Sequence, residues 1–107
     1  MTKGFDTARR DALLARRLEL VASVSALTAE ALRLNQKRAG IEMEVLRLEL
    51  EIGRNGASAQ LVRDLHEAEE SAAAIMQACT ACEDRILEAE RDVEDVDRRL
   101  AATANET

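Results

Sequence analysis

The sequence predicts an all-α fold: an antiparallel two-helix coiled-coil hairpin that dimerises into a four-helix bundle. Apolar residues recur at alternating spacings of three and four, which place them on one side of a helix. The repeat is interrupted once, at Gly53-Arg54-Asn55-Gly56. The composition agrees, because a chain of 107 residues with no Pro, four Gly and a single Phe as its aromatic residue is typical of long helices.

The first helix is expected over residues 6–52, after a flexible tail at residues 1–5. The side chain of Asp6 or Thr7 can accept hydrogen bonds from the free N–H groups of the first turn. Phe5 precedes them, either as a minor packing residue or as an anchor for a partner. The rows that contact the other helix are called the seam here. In the first helix the predicted seam residues are Leu13, Leu20, Val24, Leu27, Leu34, Ile41, Val45 and Leu48.

Two arginines also occupy seam positions of the first helix. Charged residues there can set the register and the oligomeric state of a coiled coil. Folding back at residue 55 brings Arg17 within reach of Glu90 or Glu94. Arg38 has small residues opposite it, so its guanidinium must either extend along the helix to solvent or contact a second chain.

The turn is expected at residues 53–57. Gly53 is a candidate for the left-handed glycine that ends a helix, and Asn55-Gly56 is a strong turn sequence. So short a connection reverses the chain and makes the two helices antiparallel.

The second helix is expected over residues 58–102, with Ser58 as its capping residue. Residues 103–107 lose the apolar repeat and are expected to fray. In this helix the predicted seam residues are Leu65, Ile75, Cys79, Cys82, Ile86, Val93, Val96 and Leu100.

Charge supports the antiparallel arrangement. The start of the first helix is basic and the end of the second is acidic, and complementary flanks favour this register over a parallel one. The basic residues are Arg9, Arg10, Arg16 and Arg17, and the acidic ones are Glu88, Glu90, Asp92, Glu94, Asp95 and Asp97.

Further apolar residues lie beside the seam and predict a second interface. Left bare, they would form an exposed apolar patch of the kind that marks a binding surface. They are Leu14, Leu18, Val21, Leu32, Met43, Leu46, Leu50, Val62, Met76 and Leu87. We expect two hairpins to associate through them, because symmetric dimers are the commonest assembly, or one hairpin to dock on another helical protein.

No catalytic, cofactor or metal site is predicted. Cys79 and Cys82 are both seam residues, and a zinc site would need two further ligands. Packing is the expected role of these thiols, with metal or disulfide formation between chains as the alternative. His66 lies among acidic residues and is expected to be an ordinary surface side chain.

The net charge of −6 argues against binding nucleic acid or anionic membranes, which needs a basic surface. No stretch resembles a membrane span or a secretory signal, so we expect a cytoplasmic protein, and its Ala- and Arg-rich composition favours a bacterial or phage source. The leading hypothesis is a non-enzymatic adaptor, scaffold or assembly component. The alternative is a small acidic inhibitor from a phage or mobile element, whose glutamates imitate a phosphate backbone on a nucleic-acid enzyme or block the enzyme's protein interface.

Overall fold

Two long α-helices pack against each other as a helical hairpin. The computed structural model describes residues 2–105, with side chains described from residue 4 onward. Helix α1 spans Thr2–Asn55 and helix α2 spans Ala59–Asn105, with a loop at residues 56–58. The predicted all-α hairpin is therefore confirmed, whereas its assembly into a four-helix bundle stays a prediction.

Helix α1 continues beyond its predicted end at Ile52. Gly53 is helical, and the glycine with a left-handed backbone is Gly56, at a φ of 85°. The N–H of Gly56 donates to the carbonyl of Ile52 at 2.9 Å, which is the bond that closes a helix in the αL motif. Keeping a glycine helical costs about 1 kcal/mol, similar to the net value of one hydrogen bond, roughly 1 kcal/mol. The sequence alone therefore does not choose between the two glycines.

Ser58 caps the start of α2. Its Oγ accepts a hydrogen bond from the N–H of Leu61 at 3.1 Å, and its carbonyl accepts one from the N–H of Val62 at 3.0 Å. The side-chain bond satisfies one of the N–H groups that have no partner within the helix.

The described ends of the chain are helical where the sequence predicts tails. Helix α1 begins at Thr2 rather than at Asp6, and α2 continues to Asn105 rather than ending at residue 102. In the last turn of α2 the buried Thr103 continues the seam row seven residues after Val96, and its Oγ1 donates to the carbonyl of Leu100 at 2.7 Å. The remaining predicted tail residues, Met1, Glu106 and Thr107, lie outside the described residues.

The hairpin divides into two compact units. Unit 1 combines Met1–Ala29 with Asp84–Thr107, and unit 2 is Glu30–Glu83, which includes the loop. The buried apolar residues of unit 1 are Leu20, Ala89 and Val96, and those of unit 2 are Leu48, Ile75, Cys79 and Cys82.

Polar contacts between the helices define the register. In unit 1, Nε of Arg17 donates to Oδ1 of Asp97 at 2.6 Å. In unit 2, Sγ of Cys79 donates to Oδ1 of Asn35 at 3.7 Å. Both pairs are equidistant along the chain from Ala57, which is the middle residue of the loop.

This register differs from the predicted fold-back at residue 55. Arg17 reaches Asp97 and not Glu90 or Glu94. The physical reason is the longer α1: because the helix continues through Gly53, the chain reverses later, and the partner of each α1 residue lies further along α2.

Candidate interaction surfaces

The predicted seam residues lie between α1 and α2 in both units, and all are buried or half-buried. In unit 1 they are Leu13, Leu20, Val24, Leu27, Ile86, Val93, Val96 and Leu100. In unit 2 they are Leu34, Ile41, Val45, Leu48, Leu65, Ile75, Cys79 and Cys82. Leu48 is the most enclosed large side chain, at 1% exposure. These rows supply the apolar contact between the helices within each unit.

The two seam arginines behave differently. The hydrogen bond to Asp97, and next the charge of that carboxylate, raise the pKa of Arg17 above its usual range. Both side chains are nearly half exposed, so solvent screens the ion pair. The pair therefore favours this alignment of the two helices more than it stabilises the fold. Nε of Arg38 instead lies 3.6 Å from Oε1 of Glu42 on the same helix. Within its own chain Arg38 therefore extends along α1, and its contact with a second chain stays a prediction.

The residues predicted for a second interface are all exposed. In unit 1 they are Leu14, Leu18, Val21 and Leu87, and in unit 2 they are Leu32, Met43, Leu46, Leu50, Val62 and Met76. Phe5 is exposed as well. Single exposed apolar residues are ordinary on a protein surface, whereas a contiguous set indicates a binding surface. Their positions on the helices therefore decide what they can do.

In unit 1 these residues belong to a second heptad row on α1. Leu14, Leu18, Val21, Ser25 and Thr28 each follow a seam position by one residue, and all five are exposed; they are called the second row here. Oγ1 of Thr28 donates to the carbonyl of Val24 at 2.7 Å. This bond satisfies the hydroxyl within its own helix and leaves the methyl group free to pack.

The predicted second interface contains only apolar residues, so it does not include Ser25 and Thr28 of the same row. The signal that identifies them is spacing, because they continue the alternation of four and three begun by Leu14 and Leu18. An exposed heptad row is therefore recognised as a possible contact surface by an uncharged residue at each of its positions, whether or not each residue is apolar.

On one side of unit 2 the helices border a shallow groove of about 520 Å³. Its lining residues are Leu34, Lys37, Ile41, Ser71, Ala74, Ile75 and Ala78. The small residues of α2 leave this groove open. Because it joins Lys37 of α1 to Ala78 of α2, it shows which flank of each helix belongs to the same side of the unit.

The opposite flanks of the two helices form what we call the acidic apolar side of unit 2. On α2, Val62, Glu69, Met76 and Glu83 form one row at heptad spacing, adjacent to the seam on the flank away from the groove. The α1 residues turned away from the groove add further apolar side chains and two carboxylates. These are Leu32, Glu42, Met43, Leu46 and Glu49.

The carboxylates of the two sides differ in their partners. On the groove side, Arg47 donates to Glu44 at 2.6 Å and to Glu51 at 3.1 Å. The hydrogen bonds from Arg47 lower the pKa of Glu44 below its ordinary value. On the acidic apolar side, Glu42 pairs with Arg38.

The other carboxylates of the acidic apolar side have no such partner. Among the described residues the structure gives no ion pair to Glu49, Glu69 or Glu83, and all three are exposed. The acidic apolar side therefore has a net negative charge that its own chain does not neutralise.

The histidine and the two cysteines of the chain lie in different surroundings. Nε2 of His66 lies 3.2 Å from Oε1 of Glu70, and both side chains are largely exposed. Cys79 and Cys82 are buried between the helices and are not joined in a disulfide. Within residues 2–105, no group of three or more His, Cys, Asp or Glu side chains is placed to hold a metal ion.

No protein-family model, curated protein or solved structure matches this chain. Neither helix, over its described length, contains an apolar segment that could cross a bilayer. The described surfaces offer apolar contact area and carboxylate charge, an arrangement suited to binding other helices.

Proposed function

We propose that this protein is a non-enzymatic interaction module, an adaptor, scaffold or assembly component, that works through the exposed apolar sides of its hairpin and self-associates as a dimer. The observation that supports this proposal is the second row of unit 1. A helix that packs on a single neighbour needs one apolar seam, and its other positions are normally charged or polar. In unit 1, α1 has two such rows side by side, which is the pattern of a helix inside a bundle.

The exposure of the second row has an energetic consequence. Leu18 is 73% exposed, Leu14 is 45% exposed and Val21 is 42% exposed. Fully burying such a side chain is worth about 1.5–3 kcal/mol, so a second chain that covers the row gains on the order of 1 kcal/mol per residue. The absence of charge along the row means that covering it desolvates no ion.

The row is suited to a second copy of the same chain. In an antiparallel contact with its two-fold axis near Val21, Leu14 of one copy meets Thr28 of the other, and Leu18 meets Ser25. Leucines then face smaller side chains on both sides of Val21, which allows close packing. Because one patch serves both copies, the assembly closes as a dimer, and the two hairpins supply the four helices of a bundle.

Substitution of Leu18 tests this proposal. Both Leu and Glu are good helix formers, so Leu18→Glu leaves the exposed site helical while adding two charges to the dimer contact. We expect the wild-type chain to sediment as a dimer and Leu18→Glu to dissociate with an affinity weaker by roughly 30-fold or more, since about 2 kcal/mol is lost over the two copies. The matched control is Leu46→Glu in unit 2, which should remain dimeric. A wild-type chain that stays monomeric at high concentration would contradict the proposal.

The alternative function, a small acidic inhibitor that imitates nucleic acid, has weaker support. A phosphate mimic needs a row of unpaired negative charges. The acidic run of α1 is divided between two sides: Glu44 and Glu51 bind Arg47, while Glu42 binds Arg38. Most of this run is therefore neutralised within its own helix.

A further inference from the structure

We infer that the acidic apolar side of unit 2 binds a basic amphipathic helix of a partner protein. The inference rests on the proposed function, because it assumes that the hairpin acts through its exposed apolar sides. It adds the chemistry of the partner: an apolar stripe bordered by Lys and Arg.

The shape of the surface favours a helix. On α1 its apolar residues extend from Leu32 to Leu46, a length of about 21 Å at 1.5 Å per residue. A partner helix of about 18 residues covers that length with about one turn to spare. Met43 is 68% exposed and Met76 is 56% exposed, and methionine side chains adapt to the shape of an apolar partner.

The charge of the surface selects a basic partner. In the α2 row the apolar residues Val62 and Met76 alternate with Glu69 and Glu83 at heptad spacing. A helix lying along this row would place its apolar stripe on the former and its flanking cations beside the latter. Among the described residues no cation pairs with these glutamates, whereas Glu44 and Glu51 of the groove side have Arg47 and Glu30 has Arg33.

A second copy is a poor occupant of this surface. In a symmetric contact the same patch meets itself, so Glu49, Glu69 and Glu83 of one chain would approach the same carboxylates of the other. Like charges brought together destabilise a contact. The uncharged second row of unit 1 lacks this penalty, which is why self-association is assigned there and partner binding here.

Two synthetic peptides test the chemistry of the partner. The probe is a labelled helical peptide of about 18 residues with Leu on one face and Lys on the other, and the control peptide has Glu in place of every Lys. Fluorescence anisotropy with the full-length protein should show the Leu/Lys peptide binding at least about tenfold tighter than the Leu/Glu peptide, with an affinity that falls as salt is added. Equal binding of both peptides, or no binding of either, would overturn the inference.

Matched variants then locate the binding surface. The triple variant Glu49→Gln, Glu69→Gln, Glu83→Gln should weaken binding of the Leu/Lys peptide by about tenfold or more. The control variant Glu44→Gln, Glu51→Gln, Glu67→Gln changes the net charge equally. Its sites lie on the groove side, at heptad spacing from Lys37 or Ala74. It should keep wild-type affinity, and an equal loss in both variants would mean general charge attraction and would overturn the assignment.

An apolar variant separates this inference from the proposed function. Met43→Gln with Leu46→Gln should abolish peptide binding and leave the sedimentation of the dimer unchanged, whereas Leu18→Glu should do the reverse. Loss of the dimer in both variants would contradict the division of roles between the units. A dimeric wild-type chain that ignores the Leu/Lys peptide would sink the partner assignment alone.

Discussion

Arg17 occupies a position between the helices of unit 1 where the neighbouring seam residues are apolar. Its bond to Asp97 holds the guanidinium at the edge of the contact, nearly half exposed. Exposed ion pairs contribute little to stability because solvent screens them and two long side chains must be ordered. The pair instead marks the observed register, in which Asp97 rather than another acid of the run at residues 88–97 binds Arg17.

Replacing Arg17 with Leu should raise the midpoint of thermal unfolding by a few degrees. The leucine extends the apolar seam, and the exposed ion pair that is lost contributes little to stability. Circular dichroism during heating measures the change, with Arg16→Leu as the control, since Arg16 pairs only loosely with Glu19 at 3.5 Å on the same helix. A clear fall in the unfolding midpoint of Arg17→Leu would show that the ion pair with Asp97 does stabilise the fold.

Protonation of Glu44 should lower the stability of the fold. Its pKa lies below the ordinary value of 4.5 in the folded chain, chiefly through the hydrogen bonds from Arg47. A carboxylate with a lowered pKa stabilises the fold when the pH is above the ordinary pKa of the group. That contribution is lost as the pH falls through the lowered pKa. The effect is small because both groups are exposed to solvent.

Glu44→Gln should therefore reduce the loss of thermal stability between about pH 6 and pH 3. The unfolding midpoints of wild type and variant at both pH values give the comparison. Glu49→Gln, which removes a carboxylate without an ion pair among the described residues, should show the full wild-type loss. Identical pH dependence in Glu44→Gln and wild type would exclude a role for the Arg47 bonds.

At the scale of the helices, α1 differs from α2 in the number of surfaces that it supplies. In unit 1 its seam and second row stand one residue apart. The seam contacts α2, and the adjacent second row is the surface proposed for the dimer. The end of α1 has its own determinant, because the left-handed Gly56 and its bond to Ile52 stop the helix and set where the chain reverses.

Alanine substitutions at the two glycines should have opposite effects. A Cβ at either Gly53 or Gly56 would meet nothing within 4 Å, so the backbone conformation decides the outcome. Gly53→Ala should stabilise the fold by about 1 kcal/mol because alanine is the better helix former. Gly56→Ala should destabilise it by about 1–2 kcal/mol because an L-residue is strained in the left-handed region. Chemical denaturation measures both, and a destabilising Gly53→Ala would mean that the helix ends there instead.

At the scale of the whole molecule, the two exposed apolar surfaces differ in charge. The second row of unit 1 has no charge and suits a like copy, while the acidic apolar side of unit 2 has unneutralised carboxylates and suits a basic partner. The proposed role of an adaptor or assembly component needs both properties, self-association and the binding of a partner.

The sequence by itself determined that the chain is two helices, and its spacing selected the residues that lie between them, such as Leu20, Leu48 and Ile75. Helical periodicity is a local property, so it can be read without knowing what lies opposite. The same reading set apart Leu18 and Met43 as apolar residues beside the seam. It missed Ser25 and Thr28, because hydrophobicity rather than position was the criterion.

Only the tertiary structure decided the register, the choice of Gly56 over Gly53, and the partners of the charged residues. Two glycines of similar helical cost compete for the end of α1, and each choice moves every partner on α2 along the helix. That shift places Arg17 beside Asp97. The side-chain geometry pairs Glu44 with Arg47, while Glu69 has no cation beside it among the described residues. These outcomes depend on which groups meet in space, and the spacing of residues along one helix does not contain that information.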